Sequence, residues 1–161
     1  MRKSKKTAIV CNYALNPNRI GGMDRFWVAY DAKAKSLGYE VDWYFSDYET
    51  FDFFSGLTIY SDKNQSVESF FIDKINQEDL KYDILVTHFV ALCTSFFKKA
   101  KKSGIQYAIA VDHNPRPLQG FPFSKVVKNK IKGVLYSRYI DQFIGCLNIP
   151  ENIFSKIMVF F

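Results

Sequence analysis

The 161-residue chain predicts an α/β fold, a Rossmann-like parallel sheet with helices on both faces. Three observations carry this. Short apolar runs alternate with segments of helical spacing from one end to the other. The runs are apolar throughout rather than every second residue, as in Ile84-Leu85-Val86 and Ala108-Ile109-Ala110-Val111, which suits strands buried on both faces. Glycines close two of the helical segments, at Gly38 and Gly104. With 48% hydrophobic, 17% aromatic and 24% charged residues, one domain over 1–161 with an ample core is expected, and disorder is not.

The first strand is centred on Ala8-Ile9-Val10, and Asn16-Pro17-Asn18 breaks it. Gly21 and Gly22 then open a helix, whose spacing puts Phe26, Trp27, Tyr30, Ala34 and Leu37 on one inward face. Glu40–Ser46 is the second strand. The aromatic stretch 48–60 holds a short strand or an irregular insertion. Ser66 is a candidate N-cap for a helix to Gln77, with Val67, Phe70, Phe71 and Ile75 inward. Asp83–Phe89 is the next strand.

A helix over about 91–103 turns Leu92, Phe96, Phe97 and Ala100 in and Lys98, Lys99, Lys101 and Lys102 out. Ile105–Val111 is a strand ending in Asp112-His113-Asn114-Pro115. A helix over 123–136 sets Val127, Ile131, Val134 and Leu135 inward against Lys125, Lys128 and Lys132. Tyr139–Gly145 is a further strand. Ile149 to about Lys156 reads as a short helix and Ile157–Phe161 as the start of a last strand.

Composition and motifs exclude several classes. No apolar run approaches the roughly 18–20 residues that span a bilayer. The basic N-terminus leads straight into a strand without a signal-peptide core, so a cytoplasmic protein is expected. Cys11, Cys93 and Cys146 form no C-x-x-C, and His88 and His113 are the two histidines. Buried reduced thiols, and neither a metal site nor a cofactor, are the expectation. The motifs G-x-G-x-x-G and G-x-x-x-x-G-K-[ST] are both absent, which disfavours a nicotinamide dehydrogenase and a P-loop NTPase. A phospho-acceptor receiver needs carboxylates where this chain has Cys11-Asn12 and Thr87-His88.

The net charge of +6 is concentrated. Lys98 to Arg138 holds ten of the 22 basic residues and one of the 16 acidic ones, leaving 12 basic against 15 acidic elsewhere. Such a block suits an anionic partner, with a merely solvated lysine face as the alternative. The aromatics read as core rather than interleaved with the lysines, so nucleic acid is not expected.

Ligands of open parallel sheets bind beyond the carboxyl ends of the strands. Three stretches lie there: Asn12–Arg25, His88-Phe89 and Asp112–Arg116. Gly21 and Gly22 at a helix N-terminus allow close approach of an anion, or only make the turn. His113 is either a polar group aimed at a ligand or a loop histidine bonded to backbone. His88 is a weaker candidate of the same kind, a sheet-end histidine being its alternative. Arg116, stiffened in Asn-Pro-Arg-Pro, suits a phosphate or carboxylate contact, or is a surface arginine. Lys125, Lys128 and Lys132 are candidates to face an anionic membrane, or the outer side of an ordinary crossover helix.

Taken in order, the motifs resemble the N-terminal half of a GT-B glycosyltransferase of the retaining family 4 type. Gly21-Gly22-Met23-Asp24-Arg25 is similar to that family's G-G-x-E-R. Leu37-Gly38-Tyr39-Glu40-Val41 resembles the end of its L-x-x-x-G-H-E-V, and Asp83–Phe89 its D-I-V-H-x-H-x with Val86 in place of the first histidine. Ala110–His113 parallels the strand ending in a family histidine. Tyr139–Ile144 resembles A-D-x-I-I-A-V-S, with Gly145-Cys146-Leu147 replacing the serine.

The resemblance implies transfer of a sugar, with retention and without a catalytic metal, from a nucleotide-sugar donor to a glycan or lipid-linked acceptor. It implies donor-phosphate contact for Gly21 and Gly22 and a catalytic-centre contact with the donor sugar for His113; Arg25, His88 and Arg116 are candidates for acceptor or phosphate contacts. It also implies a second, nucleotide-binding domain that these residues do not include, so that the chain alone is expected to be inactive. A peripheral position on the inner membrane face is the corresponding expectation. A non-catalytic module docking on an anionic membrane or a partner protein through the basic block is the alternative.

Overall fold

The computed structural model describes residues 5–113 and 122–145. Among the described residues six strands form one parallel sheet in the order β3-β2-β1-β4-β5-β6. They are β1 (Lys6–Leu15), β2 (Glu40–Tyr48), β3 (Thr58–Ser61), β4 (Ile84–His88), β5 (Tyr107–Asp112) and β6 (Gln142–Gly145). The helices are α1 (Gly22–Ser36), α2 (Val67–Gln77), α3 (Ser95–Lys102) and α4 (Phe123–Tyr136). The α/β class and the two-faced sheet expected from the apolar runs are what the chain adopts.

Strand order reverses between β1 and β4, the two most central strands. Both are apolar because both faces are covered: Ala8, Ile9, Val10 and Leu85 have no exposed surface. Alternate residues divide the core in two. On one face Ala8, Val10, Leu85, Ala108 and Ala110 pack beneath α2 and α3, through Phe71, Ile75, Phe96 and Phe97. On the other, Ile9, Cys11, Val86, Ile109 and Val111 join Trp27, Trp43 and Phe45 beneath α1. Right-handed crossovers dictate this split, since moving from β1 to β2 and from β4 to β5 runs in opposite directions across the sheet.

Local signals hold at several ends. Ser66 caps α2, its hydroxyl accepting from the Ser69 N–H at 3.2 Å. Gly38 (φ +83°) and Gly104 (φ +100°) take the left-handed conformation just past α1 and α3, where a side chain would be strained. Residues 48–60 contain a 3-10 turn at Asp52–Phe54 that buries Phe54, then β3.

Several expectations need correcting. Leu37, expected inward on α1, is half exposed, because it is the C-cap residue beyond the last turn. The helix expected from about 91 begins at Ser95, after a loop with positive φ at Phe89 and Cys93. The strand expected from Tyr139 is a 3-10 turn at Ser137–Tyr139 followed by β6. The largest correction concerns α4: Val127, Ile131, Val134 and Leu135 were expected to face in, yet no residue of α4 is buried. Cys93 is half-buried rather than buried, while Cys11 is fully buried. Cys146, the helix expected over 149–156 and the strand expected over 157–161 lie outside the described residues.

Candidate functional site

Among the described residues singled out at strand ends, His88 and His113 meet at the β1/β4 reversal, where the order of an open parallel sheet leaves a crevice. Cys11 of β1 pairs in register with His88, and His88 with Val111 of β5, so His113 follows two residues beyond. His88 Nδ1 and His113 Nε2 are 2.8 Å apart. Two ring nitrogens at that distance share one proton, one donating and the other accepting.

Burial decides their charge. His88 is almost fully enclosed, and its pKa is driven down from 6.5 to about 3 by loss of solvent and, secondarily, by His113. His113 is also lowered by burial, against the opposing pull of the Asp112 carboxylate. The pair is therefore neutral at pH 7, a hydrogen-bonding unit rather than a fixed cation.

Aromatic rings frame it. Phe89 sits at φ +57°, a costly conformation for a residue with a Cβ, on the order of 1 kcal/mol. That turn lays its ring flat on His113, with centroids 4.2 Å apart and planes at 19°. Phe26, in the second turn of α1, reaches His88 edge-on at 6.3 Å. Tyr13 bridges Phe89 and Trp27. A shift in the β1–β2 register between Cys11 and Ala14 breaks the strand alternation just before Tyr13, as bulges near sites do. The helix carrying Gly21 and Gly22 at its start is thus in contact with the histidine pair.

The glycine pair has a definite geometry. Gly21 is the N-cap of α1 in extended conformation, which any residue adopts. Its N–H donates to Asp24 Oδ2 at 2.8 Å. This is half of a capping box, since glycine has no side chain to complete the other half. A Cβ at Gly22 would meet nothing within 4 Å. Neither φ nor packing within the described residues requires glycine at position 22. Helix geometry leaves the Gly22 and Met23 N–H groups without intrahelical acceptors. Of the two glycines, Gly22 retains an amide to offer, while that of Gly21 is committed to Asp24.

Asp24 is fully buried, and its Oδ1 makes no hydrogen bond within the described residues. It faces Cys11, whose thiol is raised well above its usual range by burial and then by the Asp24 carboxylate. That thiol stays protonated and unreactive. The carboxylate also offsets part of the positive potential at the start of α1.

Arg25 is exposed on the first turn of α1, and Arg116 lies outside the described residues. Lys125, Lys128 and Lys132 are all exposed on α4. Among the described residues no three histidine, cysteine, aspartate or glutamate side chains cluster as a metal would require, and no helix is long and apolar enough to cross a membrane. An open groove of about 490 Å³ lies at the opposite end of the sheet, lined by Lys5, Tyr39, Asp83, Tyr107 and Gln142. It contains none of the histidine or glycine residues above.

Sequence reasoning singled out His88, His113, Gly21 and Gly22; it placed Tyr13, Asp24 and Phe89 within the strand-end stretches without giving them roles, and expected Cys11 only as a buried thiol. For Asp24 two signals were available, its match to the acidic position of G-G-x-E-R and its place three residues after Gly21. No family model matches the chain, and a search of curated proteins gives no match.

Proposed function

We propose that the chain is the acceptor-side domain of a retaining glycosyltransferase that uses a nucleotide-sugar donor, forming one wall of its cleft. The observation that carries this reading is the meeting of a side-chain-free helix N-terminus with the neutral His88–His113 pair at the strand-order reversal. The two parts suit two halves of one substrate. The Gly22 and Met23 amides suit donor phosphate oxygens, whose charge grows as the leaving group departs. The imidazole pair suits sugar hydroxyls, since with one nitrogen of each ring spent on the mutual bond the neutral pair leaves one donor and one acceptor. Flat aromatic rings such as Phe89 suit the apolar faces of a sugar.

Residue roles follow. His113 contacts the donor sugar. His88 fixes the orientation and tautomer of His113. Gly22, more than Gly21, approaches the phosphates, and Arg25 is an additional exposed cation on the same turn. The order β3-β2-β1-β4-β5-β6 is equally that of dinucleotide-binding domains, but the glycine spacing that such domains use is absent.

Titrating the 15N-labelled chain with inorganic pyrophosphate tests the reading. The amides of Gly22 and Met23 and the ring signals of His113 should shift together, with a dissociation constant in the millimolar range fitting one wall of a cleft. Shifts confined to the α4 lysines, or none at millimolar pyrophosphate, would overturn it. Assayed with nucleotide sugars, the chain by itself should release no nucleoside diphosphate.

A further inference from the structure

We propose that the outward face of α4 docks on an anionic lipid bilayer, its axis lying in the plane of the membrane surface. The proposal starts from the failure of α4 to bury its apolar residues. At 3.6 residues per turn, Val126, Gly133 and Tyr136 share one side of the helix, and they are the half-buried ones. Phe123, Val134, Val127, Ile131 and Leu135 fall within an arc of about 120° on the other side. Phe123 is 83% and Val134 80% exposed. A contiguous apolar stripe of this kind on a soluble surface marks an interaction site.

The charges say what kind of partner it fits. On the same wheel Lys130 flanks one edge of the stripe, and Lys128, Lys132 and Lys125 flank the other. Lysines at both margins can extend to headgroups while their stems lie along the apolar boundary. No acidic residue occurs between Asp112 and Asp141. Helix α3, which α4 touches, adds exposed Lys98, Lys99 and Lys102. A protein interface depletes lysine at its core and pairs it with specific acids at its rim. A bilayer with anionic lipids offers an apolar layer and a uniform negative surface at every lateral position. The stripe with lysines on both margins matches the second.

The docking does not depend on the glycosyltransferase reading. Phe123→Trp provides a reporter, because the two native tryptophans, Trp27 and Trp43, are fully buried and should not respond. Its emission should shift to the blue with vesicles of phosphatidylcholine containing about one-third phosphatidylglycerol, little with phosphatidylcholine alone, and the shift should reverse as salt is raised. Replacing Lys128, Lys130 and Lys132 together by Gln should lower the partition coefficient on the order of 100-fold. Val134→Ser and Ile131→Ser, at solvent-exposed positions, should weaken binding while leaving the circular dichroism unchanged.

Three results would overturn the proposal: no emission shift and no co-sedimentation of the unmodified chain with anionic vesicles, equal binding to phosphatidylcholine alone, or a lipid-independent blue shift that grows with protein concentration alongside dimers in sedimentation. The last would assign the stripe to a second copy of the chain.

Discussion

Helices α3 and α4 carry the same kind of sequence and reach opposite outcomes. Each alternates lysines with apolar residues at helical spacing, and each connects neighbouring strands on the same side of the sheet. In α3 the apolar residues Phe96, Phe97 and Ala100 are buried against β4, β5 and α2. In α4 the corresponding residues face solvent. The difference lies in what is underneath. Strands β4 and β5 present a continuous apolar floor of Leu85, Ala108 and Ala110. Strand β6 lies at the edge of the described sheet, and Phe143, which pairs with Ala110, remains half exposed. Amphipathic spacing says which residues share a face. It does not say that the fold has anything for that face to cover.

The comparison can be broken most sharply by cutting side chains on the two helices. Phe97→Ala should cost about 3–5 kcal/mol, because it removes a fully buried ring and leaves a cavity. Ile131→Ala should cost no more than about 0.5 kcal/mol. Equal losses in urea denaturation would mean that α4 is packed as α3 is.

Acid titration reports on the enclosed histidine. His88 adds a slope of stability with pH, because its folded pKa lies near 3 against an ordinary 6.5. The unfolded chain takes up that proton first. Stability is fully present above about pH 6.5 and is lost as pH falls from there toward 3, by up to about 1.4 kcal/mol per pH unit for this group. His88→Phe should flatten that slope; an unchanged slope in the variant would show that His88 is not held neutral.

A smaller effect concerns the tie between α3 and the start of β6. Lys101, expected on the outward face, is half-buried and donates to Asp141 and to the Gln106 carbonyl. Asp141 also accepts the Ala108 N–H at 2.7 Å. Asp141→Ala should cost about 1–2 kcal/mol through that unpaired N–H. Lys102→Ala, at an exposed position on the same helix, should change stability by less than about 0.5 kcal/mol, and a reversal of that ranking would displace the tie from Lys101.

Much of the framework was legible because burial on both faces writes itself as unbroken apolar runs, and because Gly38, Gly104 and Ser66 mark helix ends by conformation or hydrogen bonding. The placement of His88 and His113 at strand ends was legible for the same reason. Their direct pairing was not. It depends on β4 and β5 being neighbours in a register that sets His88 opposite Val111, and neither fact is local to either histidine. The left-handed turn at Phe89 carries no glycine or asparagine to announce it. The engagement of Gly21 by Asp24 was written three residues away, in the spacing of a capping box. What α4 faces was the least legible, since it depends on what the neighbouring edge strand presents, Phe143 being half exposed there, and not on α4 itself.

The most direct test of the central claim is a side-by-side pyrophosphate titration of the native chain and Gly22→Val. A Cβ at position 22 meets open space, so the variant should fold normally while filling the approach to the α1 amides. Pyrophosphate should shift the Met23 amide and the His113 ring in the native chain, and both responses should disappear in Gly22→Val. Undiminished binding by the variant, or a response in which His113 stays silent, would contradict it.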